Sequence, residues 1–211
     1  ADLSCRNILC FQLDGSDPSR THVKLSDFGL SVELKDACPL PGSSSFADAS
    51  DFEVVASGTM SMHIKQARAV RWCAPEAVAL NRLSHRSDAW SLGVTIWEAL
   101  SDGGSEPWSC MPNRRDVAAK LQELSMCLAH CQGCSGACVC GNSHVVGAFP
   151  RSPACPILVH DLILSCLCVD EFRRPRFAHV AVELRRSLKA VACPPTNDGK
   201  NNEDWILVGA R

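Results

Sequence analysis

The chain has 211 residues, 46% of them hydrophobic and 21% charged, with a formal net charge of -2. That is enough chain for one domain with a buried core, and the near-neutral balance gives no ground for bulk binding to nucleic acid or anionic lipid. No apolar run reaches the roughly 18 residues that suggest a membrane-crossing helix, and the stretch from Ala1 lacks the basic, apolar and small-residue succession of a secretory signal. The expected location is therefore cytoplasmic, with no membrane segment in this stretch and no nucleic acid as partner.

Fourteen cysteines raise the question of a disulfide framework, but such frameworks belong to small secreted chains with poor cores. Cys10, Cys73, Cys166 and Cys168 lie in apolar segments, where a thiol packs as a small hydrophobe. Most of the cysteines are expected to be reduced. The chain contains no tyrosine.

Taken in order, residues 7–11 (NILCF) and 22–25 (HVKL) read as short strands around the turn-rich LDGSDPSRT, which predicts a hairpin. From about 36 to 61, Ser, Gly, Asp and Ala dominate without a sustained period, so a long mobile loop is expected. From Ser87 the pattern changes. WSLGVTIWEAL is apolar nearly all round, which predicts a buried central helix, capped by Ser84 or Ser87 and ended by GGSEPW. VAAKLQELSMCL, ILVHDLILSCLCV and FAHVAVELRRSLKAV carry apolar residues at helical intervals and predict three more helices. The Cys, Gly, Ser and Pro-rich stretch at about 125–148 is expected to be a loop or insertion, and 193–211 a polar tail.

Three short motifs follow one another. Asp2 and Asn7 stand ahead of the first strand, Asp27-Phe28-Gly29 closes the second, and Ala74-Pro75-Glu76 comes after the long loop. Each alone is weak, since a lone Asp or Asn near a strand is usually a turn former. In this order they resemble the second half of a protein kinase domain. The resemblance implies a mainly α fold with a small β-hairpin region, an incomplete kinase-like C-terminal lobe spanning residues 1–192.

The same resemblance implies phosphoryl transfer from ATP to a protein hydroxyl. That chemistry needs a carboxylate to orient the hydroxyl and take its proton, and oxygen ligands for magnesium across the nucleotide phosphates. By resemblance Asp2 is the base, Asn7 and Asp27 hold Mg2+, Leu9 lies beneath the adenine, and Ser26 stands at the back of the nucleotide site. Arg6 and the segment RWCAPE are similar to the tyrosine-kinase forms of their motifs, so tyrosine is the expected acceptor in the protein substrate. Trp72 and Cys73 fall in the substrate-groove segment. Asp88 falls where the family caps the catalytic loop from the central helix, and Arg174 of RRPRF where it pairs with Glu76.

The sequence also departs from the family. No GxGxxG occurs, and the phosphate-holding strand lysine and its glutamate are not found, so this stretch is expected to need a missing N-terminal lobe and to be inactive alone. Ala1 stands where the family has an arginine that pairs with a phosphorylated loop residue, while Ser57 and Thr59 are hydroxyls available in that loop. A pseudokinase or interaction module without turnover therefore stays open as an alternative. Cys127, Cys131, Cys134, Cys138 and Cys140, with His130 and His144, hold one C-x2-C pair. Strong zinc signatures have two spaced pairs, so a cysteine-rich loop without zinc is the expectation.

Overall fold

The computed structural model describes residues 3–15, 17–29, 31, 38–39, 52–55, 69–101, 105–130 and 139–192. The first strand, β1 (Ile8–Gln12), pairs antiparallel with β2 (His22–Leu25), with Ile8 opposite Leu25 and Leu9 opposite Lys24. The register slips between Cys10 and Gln12, as it does where one extra residue bulges from a strand. This is the predicted hairpin. Cys10, expected to pack as a hydrophobe, is exposed on it, because nothing among the described residues covers that strand.

Two short strands lie within the stretch read as a loop. Between them, β3 (Cys38–Pro39) and β4 (Phe52–Val55) form a three-stranded antiparallel sheet with β5 (Arg82–Ser84), β4 in the middle. The FEVV segment is apolar and β-branched enough to pair, but it is short and its partner at 82–84 is distant in sequence. The rest of the long loop, with Ser57 and Thr59, lies outside the described residues.

A short helix, α1 (Pro75–Ala79), opens with proline in its first turn, where the missing N–H costs nothing. The central helix, α2 (His85–Leu100), begins at Ser84 rather than Ser87. Ser84 Oγ accepts from the Arg86 and Ser87 amides at 3.2 Å, and the Ser84 amide donates to Ser87 Oγ at 3.0 Å. This reciprocal cap satisfies otherwise orphaned N–H groups. Trp90, Val94 and Trp97 are buried on α2, as its all-round apolar pattern requires.

The remaining helices are α3 (Arg114–His130), α4 (Val139–Ala148), α5 (Ile157–Cys166) and α6 (Phe177–Ala192). Three match the predicted helices. The fourth, α4, replaces part of the expected loop at 125–148, because Val145 and Ala148 are buried in the core beside Phe149. Trp97 and Trp108 both meet the Phe149 ring edge-on, with centroids 5.3 and 5.2 Å apart, a favoured aromatic geometry. Gly93 lets α2 lie close on α5: a Cβ there would sit 2.7 Å from Cys166 Cβ.

Candidate active site

One end of the hairpin gathers most of the sequence-predicted site residues. A tight turn at Cys5–Asn7 leads into β1, and the Ser26 amide and hydroxyl both donate to the Asn7 carbonyl, at 2.8 and 3.1 Å. Residues 20 positions apart in sequence, Asn7 and Asp27, are thereby brought to the same hairpin end. Asn7 is buried, 8% exposed. Asp27 is exposed and its backbone is left-handed, with φ 58°, a conformation Asp tolerates better than most residues at a cost of about 1 kcal/mol. An amide oxygen and a carboxylate are hard donors of the kind magnesium takes from a protein, one or two at a time. The residues present therefore fit such an ion.

Leu9 is 47% exposed on β1, among other solvent-facing apolar side chains of the hairpin and its flanks: Phe11, Val23, Leu25 and Phe28. The expected base, Asp2, and Ala1 lie outside the described residues. So do Cys131, Cys134 and Cys138 of the cysteine cluster, along with the side chains of Cys127, His130 and Cys140. Among the described residues no three His, Cys, Asp or Glu gather as a metal site, and Cys5, Cys10, Cys73, Cys110, Cys155, Cys166 and Cys168 are free thiols.

Behind the hairpin end, α2 holds the Leu3–Asn7 segment through residues that sequence reasoning did not single out. Thr95 Oγ1 donates to the Leu3 carbonyl at 3.1 Å, and the Cys5 thiol donates to the Thr95 carbonyl at 3.4 Å. Glu98 Oε2 accepts from the Cys5 amide at 2.9 Å and from Trp72 Nε1 at 2.9 Å. Burial, reinforced by the Glu98 charge, pushes the Cys5 thiol up to about 12. Arg6 lies over the Trp72 ring, 5.0 Å from its centroid, a cation–π contact. Asp88 stands half-buried in the first turn of α2.

The segment from Val70 to Glu76 is fastened at both ends. Buried Arg71 donates to the carbonyls of Pro107, Trp108 and Met111 at 2.8, 3.0 and 3.0 Å and meets Glu106 at 3.0 Å. Glu76 and Arg174 form the ion pair that the resemblance implied, through two bonds of 2.6 and 2.9 Å. Next to it lies Glu171, bonded to Arg82 through Oε1 while its buried Oε2 has no partner among the described residues. Burial is the main cause raising the Glu171 carboxyl above its ordinary value, with the Glu76 charge adding to it and Arg82 and Arg174 opposing.

These are the parts of a kinase C-terminal lobe, and a family model for protein tyrosine and serine/threonine kinases matches residues 1–184. The chain belongs to that family. It is 33% identical over 204 residues to mouse Ephrin type-A receptor 8, covering 92% of this chain and 15% of that protein. Human Ephrin type-B receptor 4 is 29% identical over 188 residues, covering 89% and 14%. The human receptor tyrosine-protein kinase erbB-4 is 28% identical over 187 residues, covering 88% and 10%. The chain thus spans about a seventh or less of these three relatives. No helix among the described residues is long and apolar enough to cross a membrane.

Proposed function

We propose that residues 1–192 are the C-terminal lobe of a tyrosine-kinase domain, followed by a tail at 193–211, and that the complete protein transfers the γ-phosphate of ATP to tyrosine in a protein substrate. The observation that carries this reading is the pairing of Asn7 with Asp27 at one hairpin end through the two Ser26 bonds to the Asn7 carbonyl. Asn7 and Asp27 would hold magnesium, which when bound neutralises charge on the nucleotide phosphates. Asp2 orients the substrate hydroxyl and accepts its proton. Arg6 is held over Trp72 at 5.0 Å, and Ser26 backs the nucleotide site. Leu9 presents an exposed apolar side chain to the adenine, and a preceding N-terminal lobe closes over the hairpin's apolar face. The location is cytoplasmic, and no zinc is assigned to the cysteine-rich stretch.

The test is phosphate transfer to a tyrosine peptide by the full-length protein, beside its Asp2→Asn and Asp27→Asn variants. Both substitutions should reduce transfer by at least about a hundredfold, the scale on which acid–base and charge-stabilising groups act. Equal rates would sink the reading. Ala1, at the position where the resemblance expects an arginine, favours a second reading: a pseudokinase that binds partners without turnover. Magnesium-dependent ATP binding with no transfer by the full-length protein would decide for it.

A further inference from the structure

The central helix presents Ser91, Thr95 and Glu98 at helical spacing along one stripe, and each holds a segment of the site. Ser91 Oγ donates to the Trp72 carbonyl at 2.8 Å, Thr95 Oγ1 to the Leu3 carbonyl at 3.1 Å, and Glu98 takes the Cys5 amide and the Trp72 indole on the same oxygen, each at 2.9 Å. We infer that Glu98 is a positioning residue that joins the catalytic-loop segment to the substrate-groove segment, so that the two move as one body. The inference rests on the kinase reading for what the joined segments do, and on geometry alone for the joint itself.

The physical argument turns on one atom with two donors. A carboxylate oxygen that accepts two N–H bonds lies where both donors can reach it, so displacing either segment weakens the bond of the other. Of the two segments, Ser91 reaches only the Trp72 carbonyl and Thr95 only the Leu3 carbonyl, so that among the described residues of this stripe Glu98 is the side chain that bonds to both. The joint extends to Arg6, because the ring that Glu98 fixes is the ring on which the guanidinium lies. Rotation of Trp72 would therefore carry Arg6 with it and disturb the turn at Cys5–Asn7. The Cys5 thiol, kept protonated by burial and the neighbouring carboxylate, remains a donor to the Thr95 carbonyl and closes the same corner.

Hydrogen exchange on the full-length protein tests the joint by reading residues 3–8 and 69–74 in Glu98→Leu, Glu98→Gln and Trp72→Phe. Glu98→Leu should speed exchange in both segments by about tenfold, the scale of one hydrogen bond to a charged group. Glu98→Gln keeps an oxygen acceptor and should restore most of the protection. Trp72→Phe removes one donor yet should also speed exchange at 3–8, and it decides the point if Glu98→Leu does not fold. Unchanged exchange at 3–8 in Trp72→Phe, or equal exchange in Glu98→Gln and Glu98→Leu, overturns the joint. In peptide phosphorylation Trp72→Phe should raise the KM for peptide and leave the KM for ATP unchanged, and an equal rise in both overturns the role in substrate positioning. A wild-type protein that transfers no phosphate would remove the kinase reading, while the exchange result would still decide the joint.

Discussion

Arg174 and Glu76, 98 residues apart in sequence, meet through two hydrogen bonds of 2.6 and 2.9 Å with the arginine side chain wholly buried. Arg174 also donates to the carbonyls of Cys168, Arg86 and Val169, and its guanidinium lies 5.1 Å from the centre of the Trp90 ring. Replacing one partner leaves a buried charge without its counter-ion, at a cost of about 3–5 kcal/mol. Arg174→Met should cost more than Glu76→Gln, because it also strands three carbonyls. Urea unfolding of the two variants checks both the size and the order.

Gly93 is the second point at which a small change should be felt. Its missing Cβ would lie 2.7 Å from Cys166 Cβ and 3.3 Å from the Ile163 carbonyl, so Gly93→Ala must push α2 away from α5. Overpacking of this kind costs about 1–3 kcal/mol, enough to outweigh the roughly 1 kcal/mol that alanine gains over glycine within a helix. A lowered Tm is expected. Adding Cys166→Ala should not restore it, because that change removes the sulfur and keeps the clashing carbon.

The thiols should divide by environment. Cys10 and Cys110 are exposed, whereas burial pushes Cys5 and Cys166 up to about 12. The thiolate is the reactive species, so iodoacetamide at pH 7.5 should label Cys10 and Cys110 and spare Cys5 and Cys166 in the folded protein. Peptide mass mapping reads the result. Labelling of Cys5 at the rate of Cys10 would contradict the bonding around Glu98.

Glu171 should give stability a pH dependence of known sign. Its carboxyl is raised above the ordinary value of 4.5, first by burial and then by Glu76. A raised folded-state value means that the folded state binds more protons than the unfolded one, so this group's contribution is present in full below about pH 4.5 and is lost as pH rises through the folded value. Glu171→Gln cannot lose that proton. The stability of the variant relative to wild type should therefore grow as pH is raised from 4.5, as measured by denaturant midpoints at several pH values. A difference that stays flat or shrinks would show that the carboxyl is not raised.

Much of the scaffold was legible because it is built from local signals. The hairpin rests on two short apolar runs around a Gly/Pro/Asp turn, and α2, α3, α5 and α6 on helical periodicity. What failed to show was decided by distant contacts. The segment forming α4 contains Gly141, Asn142 and Ser143, poor helix formers, and is held by Val145 and Ala148 packing into the core. At β4, three residues pair with a strand at 82–84 that no local pattern connects to them. Motif order brought Asn7 and Asp27 forward as candidates, and the family resemblance paired Glu76 with Arg174, which the structure joins. Glu98 was not, because its importance comes from an amide 93 residues away and an indole 26 residues away, and no spacing rule covers such a distance.

The bonds that fasten the hairpin's approach to α2 link positions separated by 90, 92 and 93 residues. During synthesis the hairpin is therefore made well before its anchor. At ~5–20 residues per second the interval is roughly 5 to 20 seconds, during which Leu3 and Cys5 lack their partners Thr95 and Glu98. A two-stranded hairpin is marginal in water by itself. Assembly of this stretch should thus run against the direction of the chain, with the helices gathering around α2 first and the Leu3–Asn7 segment docking on it afterwards.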